Sequence, residues 1–299
     1  MTHRYGDIWR NYLPDISLFL STVIWGLSFT IMKVMLGNTI SPYLFVFIRF
    51  LIAAILLYPL CAKRLPSLGA GGLKAGIVLG FLIYVGFMTQ AVGITFTTAS
   101  KSAFITGISS LFVPVFLILH RKRLPEPLVI IALMIAFAGM FMLTGPAGGF
   151  NLGDTLTLFC AVSFGAQIYV MGLATAKYDT LALTFMEMAS TAILAGIALF
   201  FVPIYFIITW KTIVALLFMT IVGTALALSV QTWAQKKTSS VRAGLIYSAE
   251  PVFAFMFASV LLGESFNLIQ KTGGAVIIIA VVSSELIPLI SSWRRRGLS

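Results

Sequence analysis

Residues 89–103 read TQAVGITFTTASKSA, and residues 230–244 read VQTWAQKKTSSVRAG. At an offset of 141 residues, Gln90 falls on Gln231, Thr97 on Thr238, Thr98 on Ser239 and Lys101 on Arg242. Both stretches carry a glutamine on an apolar segment and then a short hydroxyl-rich break. Upstream, an offset of 139 puts Asp15 on Asp154 and Gly26 on Gly165, each aspartate being expected to open its helix. Pro114 and Pro251 correspond with a four-residue gap. The near-constant offset, more than any single identity, implies that one unit is present twice.

Composition says where that unit resides. Sixty per cent of the 299 residues are hydrophobic and only 10% are charged, with a mean hydropathy of +1.04. Soluble domains carry about 25% charged residues, so the chain reads as an all-α integral membrane protein. The net charge of +11 sits in short clusters between apolar runs, such as HRKR at 120–123 and WRRR at 293–296. That is the pattern of loops beside anionic lipid, and it argues against nucleic acid as a partner. Cys61 and Cys160 imply neither a disulfide framework nor a metal site. The first apolar run is long enough to span and is read as an uncleaved anchor.

Crossing the hydrocarbon core takes roughly 20 apolar residues. Ten runs meet that length, at about 15–36, 42–62, 72–94, 98–119, 126–144, 152–174, 180–204, 211–234, 241–262 and 267–290. With a cytoplasmic N-terminus, 15 Lys and Arg fall on inside segments and 4 (Lys33, Lys101, Lys211 and Lys271) on outside ones, while Arg49 lies within a span. This asymmetry predicts both termini inside, in the cell (inner) membrane. Ten crossings in two copies give five per copy, so residues 1–144 and 145–299 form two five-helix repeats. An odd number makes the second copy enter the bilayer from the opposite side. Such inverted repeats underlie alternating access in many secondary transporters.

Four stretches, WGLSF at 25–29, FIRFLIAAILL at 47–57, QAVGITFTTASKSAFITG at 90–107 and EPVFAFMFASVLLGE at 250–264, resemble the drug/metabolite transporter superfamily, in particular its EamA-type members. The resemblance covers essentially the whole chain. It implies a ten-helix bundle with the fifth and tenth helices peripheral, moving small metabolites, often outward. The first half departs from the pattern: Lys122-Arg123 stands where the second half has Gly263-Glu264.

Polar groups at membrane depth are expensive, so they line a cavity or are paired. Ser102, Thr106 and Ser109 share one helix face at i, i+4 and i+7, as do Thr224, Gln231 and Gln235 on the eighth crossing. Trp25 and Ser28 map onto Phe164 and Gln167 at the 139 offset, and Tyr247 stands with Glu250 at i and i+3. The candidate substrate-binding set is therefore Trp25, Ser28, Gln90, Thr106, Ser109, Gln167, Gln231 and Tyr247. Interhelical hydrogen bonding is the rival explanation, above all for Ser and Thr. Gln90 near the outer end of its span and Gln231 near the cytoplasmic end of its own each guard one mouth. Pro114 and Pro251 are the candidate hinges, freeing the carbonyls of Ser110 and Tyr247. Glu250 is the candidate proton-coupling group, since a low-dielectric site favours the neutral acid. Its rival role is structural partner to Arg49. Glu187 and Glu285 read as structural.

The chain has no phosphate-binding loop for ATP, and its histidines, His3 and His120, build no metal site. No cofactor is expected. The expected partners are a small-molecule substrate, the lipid bilayer and a coupling proton. The expected function is a secondary transporter exporting small amphipathic metabolites such as amino acids. A channel or facilitator for small solutes, and a membrane-embedded enzyme, are the alternatives.

Overall fold

The computed structural model describes residues 2–122, 124, 127–144, 151–263, 267–269 and 271–280. Glu264, Arg123, Glu285 and residues 294–296 lie outside this set. The described residues are helical apart from short connections, with no strand among them beyond isolated bridges. The helices are α1 (Thr2–Met35), α2 (Pro42–Cys61), α3 (Gly69–Phe96), α4 (Ala99–Gly107), α5 (Ser109–Arg121) and α6 (Pro127–Thr144), followed by α7 (Leu152–Thr175) and α8 (Thr180–Ala198). Next come α9 (Trp210–Thr220), a π-helical turn over Ile221–Leu226, α10 (Ala227–Gln235), α11 (Ser240–Tyr247) and α12 (Glu250–Leu262). The last, α13, covers Lys271–Ala280. Eight helical stretches are long and apolar enough to cross a membrane; α6 and α13 stand where the fifth and tenth crossings are expected. They meet where a Cβ on Gly139 would lie 2.8 Å from the Gly273 carbonyl oxygen.

The hydroxyl-rich breaks are helix starts. Thr98 caps α4 by accepting the backbone N–H of Lys101, and Ser239 caps α11 by accepting that of Arg242. Serine and threonine suit this position because their hydroxyl replaces a hydrogen-bond partner that the first turn lacks.

Beyond those caps, the fourth and ninth crossings are each broken, at Ile108 and at Ser248-Ala249. The backbone tightens there in equivalent bonds, Leu111 N–H to Ile108 O at 2.9 Å and Val252 N–H to Ala249 O at 3.1 Å. This revises the pairing of the prolines. Pro251 sits in the first turn of α12, where a missing N–H costs nothing. Pro114 lies inside α5. At the common offset Pro251 corresponds to Ser110, whose hydroxyl donates to the Gly107 carbonyl at 2.9 Å. A ring in one half and a side-chain hydrogen bond in the other accompany the same interruption.

Contacts between the halves come in reciprocal sets. Lys101 of the first half binds Asp154 of the second at 2.6 Å. Arg242, its counterpart, binds Asp15, the counterpart of Asp154, at 3.1 Å. A Cβ on Gly26 would lie 2.6 Å from the Cβ of Phe253, and one on Gly165 would lie 2.6 Å from the Cβ of Phe112. Each pair thus trades a residue of one half for its equivalent in the other. The expectation that both aspartates open helices holds only for Asp154, which forms a capping box with Asn151; Asp15 lies well within α1.

The ion pairs occupy opposite ends of the molecule. Lys33, near the C-terminal end of α1, donates to the carbonyls of Ile94 and Thr97 at 3.0 and 2.7 Å. The Thr97 hydroxyl donates to Asp154 at 2.8 Å. Asp15 is 18 residues earlier on the same helix, about 27 Å away at 1.5 Å per residue.

Candidate functional site

Between the two ends, the halves line a partly open central cavity. The first half contributes Trp25, Ser28, Phe29 and Met32 from α1, Arg49 from α2, Ile83, Phe87 and Gln90 from α3, and Ser109 at the start of α5. The second contributes Phe164, Gln167 and Ile168 from α7, Leu228 and Gln231 from α10, Tyr247 at the end of α11 and Glu250 at the start of α12. The broken crossings matter here, because Ser109 and Glu250 each follow a break directly.

Gln90 and Gln231 therefore face one shared cavity, which replaces the expectation that each guards its own mouth. Their amides are held differently. Gln90 Nε2 donates to Thr106 Oγ1 at 3.3 Å, so Thr106 stands behind the wall and does not line it. Gln231 Nε2 donates to Gln167 Oε1 and Gln235 Oε1, both at 3.0 Å. Gln167 Nε2 donates onward to Glu187 Oε1 at 2.7 Å, and Gln235 Nε2 donates to the Ile168 carbonyl at 2.8 Å. An amide needs several partners when buried, and this chain supplies them. It also brings Glu187 to the site, fully buried with Oε2 lacking a partner.

The remaining wall is aromatic and apolar. Trp25 and Tyr247 meet at a tilt of 54° with ring centroids 5.2 Å apart, and Phe87 meets Phe164 edge-on at 5.0 Å. Trp25 Nε1 donates to the Gly223 carbonyl at 3.0 Å. That carbonyl is accessible because the π-helical turn widens the backbone ladder at Ile221–Leu226.

Arg49 is anchored on the same turn. Its Nη2 donates to Gly223 O at 3.0 Å, and its Nε donates to Thr224 Oγ1. The Thr224 hydroxyl in turn donates to Met219 O at 2.8 Å. The guanidinium carbon lies 4.5 Å from the Phe87 ring centroid. Among the described residues Arg49 forms no ion pair with Glu250, so the structural pairing weighed from sequence is not made. Pro114 and Pro251 do not line the cavity either. Among the described residues no cluster of His, Cys, Asp or Glu could hold a metal ion.

A hollow shared by two copies of one helical unit, polar at a few points and apolar elsewhere, is a place to hold a small solute within a membrane. Comparison with known proteins agrees. The EamA-like transporter family matches residues 13–145 and again residues 151–284. The chain belongs to this family. An uncharacterized transporter of Archaeoglobus fulgidus is 32% identical over 277 residues, covering 93% of this chain and 87% of the relative. The uncharacterized inner membrane transporter YicL of Salmonella typhimurium is 23% identical, covering 94% of this chain and 97% of its own. A solved crystal structure superposes with a TM-score of 0.75 at 14% identity, over 93% of this EamA-family chain and 98% of that one. That likeness concerns the fold. The protein is thus a multi-pass membrane transporter.

Proposed function

We propose that this EamA-family protein is a secondary carrier that exports small amphipathic metabolites such as amino acids. The solute binds in the central cavity and the two halves, inverted relative to each other, rock about it to expose it to one side and then the other. The observation that carries this reading is the reciprocal pair of ion pairs. Lys101–Asp154 and Arg242–Asp15 exchange equivalent residues between the halves at ends about 27 Å apart, on the scale of the hydrocarbon core, about 30 Å. Two copies of one unit arranged this way can exchange conformations, closing one end as the other opens. The excess of Lys and Arg on one set of connections supports cytoplasmic termini.

Glu250 is the coupling group in this scheme. It lines the cavity, and among the described residues no hydrogen bond is made to its carboxylate, so its proton can respond to what occupies the site. In proteoliposomes, substrate on the far side accelerates exchange through a carrier and leaves flux through a channel unchanged. Acceleration is expected; its absence for every transported solute overturns the reading. Glu250→Gln is expected to abolish the dependence of uptake on a pH gradient. Unchanged gradient dependence removes Glu250 from coupling.

A further inference from the structure

We infer that Arg49 is the residue that takes the substrate, by its carboxylate, and that the solute carried is a zwitterionic amino acid with an apolar side chain. This rests on the carrier reading above and gives it a chemical class. Arg49 has no exposure to solvent and lies on the wall of the central cavity. A guanidinium has five N–H bonds. The Nε side of the fork is spent on Thr224 and Gly223, whereas Nη1 is buried without a partner. Among the described residues no carboxylate pairs with it. Phe45, Phe50 and Phe87 surround the charge, with Phe87 nearest at 4.5 Å, and ring faces stabilise a cation without neutralising it. A buried cation retained without an anion is expensive, and a planar carboxylate fits the free end of the fork in a bidentate pair.

Glu250 stands on the same cavity from the other half and offers a carboxylate to an ammonium group. Trp25, Met32, Ile83 and Phe164 take up an apolar remainder. The site thus provides one fixed cation, one titratable anion and an apolar wall. A free carboxylic acid satisfies only the first of these, and a free amine only the second.

The test uses full-length protein with L-leucine, L-methionine, L-phenylalanine, leucinamide, 3-methylbutylamine and 4-methylpentanoate as probes. Thermal stabilisation in detergent and counterflow in proteoliposomes are the readouts. At least one of the three amino acids is expected to bind, and leucinamide to bind at least tenfold more weakly than leucine. Arg49→Gln is expected to weaken amino acid binding tenfold or more and to leave leucinamide unchanged, with Arg49→Lys recovering part of the loss. Should Arg49→Gln fail to fold, the comparison of leucine with leucinamide on the wild type still decides. Equal binding of leucine and leucinamide overturns the inference, as does failure of every carboxylate-bearing probe. Accelerated exchange of the amine alone would retain the carrier and reject the carboxylate anchor, while channel-like flux of any probe would reject the carrier itself.

Discussion

Lys122 closes α5 with φ +51, and Gly263 closes α12 with φ +72, at positions 141 residues apart. Both ends need the left-handed conformation, but only one copy of the unit has the residue that adopts it without steric cost. Lys122→Gly is expected to raise stability by about 1 kcal/mol and Gly263→Ala to lower it by a similar amount. Thermal unfolding of the detergent-solubilised protein reads both. At the Lys101–Asp154 ion pair, Asp154 is fully buried and also accepts the backbone N–H of Asn151 at 2.8 Å. Asp154→Ala removes the acceptor shared by Lys101, the Thr97 hydroxyl and the Asn151 N–H and is expected to cost roughly 3 kcal/mol. The contrast is Arg64, paired with Asp179 at 3.2 Å but more than half exposed. Arg64→Ala is expected to cost less than about 1 kcal/mol. Equal losses from the two substitutions would contradict the difference in burial.

At the scale of elements, three interruptions shape the site. The fourth and ninth crossings break so that Ser109 and Glu250 start new helices on the cavity wall, and the eighth crossing widens into a π turn that presents Gly223 O and Thr224. The π turn holds Trp25 and Arg49 together, although they come from different helices. Thr224→Val keeps the shape of the side chain and removes the acceptor for Arg49 Nε. It is expected to lower stability by about 1–3 kcal/mol, because a buried donor is left unmade, while Thr224→Ser retains most of it. The same unfolding measurement checks this, and an unchanged midpoint in Thr224→Val would show that the turn does not depend on that bond.

At the scale of the whole molecule, each half supplies what the other lacks. In a chain with Cys61 and Cys160 replaced by alanine, cross-linking Lys101→Cys to Asp154→Cys, or Asp15→Cys to Arg242→Cys, is expected to stop exchange. Reductant is expected to restore it. Continued exchange with either pair locked would contradict a carrier that must open both ends in turn. Thiol labelling of Gly149→Cys from the side opposite Arg121→Cys is expected for inverted halves, and labelling from the same side would end that arrangement.

Membrane residence, the order of the apolar segments, the duplication and the hydroxyl-rich breaks ahead of α4 and α11 were legible in the sequence. Each is a local property: hydropathy over a window, the spacing of residue types, or a hydroxyl placed before a helix. Most of the polar residues now on the cavity wall were legible too, since a polar side chain in an apolar segment must be accommodated somewhere. The partner of each group was decided only in the tertiary structure. Thr106 lies behind Gln90, Glu187 completes an amide chain, Pro251 begins a helix, and Arg49 rests on a π turn with nitrogen to spare. The pairings depend on which helix packs against which. They join residues from 16 positions apart, as Gln90 and Thr106 are, to 175 apart, as Arg49 and Thr224 are, and no periodicity within one segment encodes them.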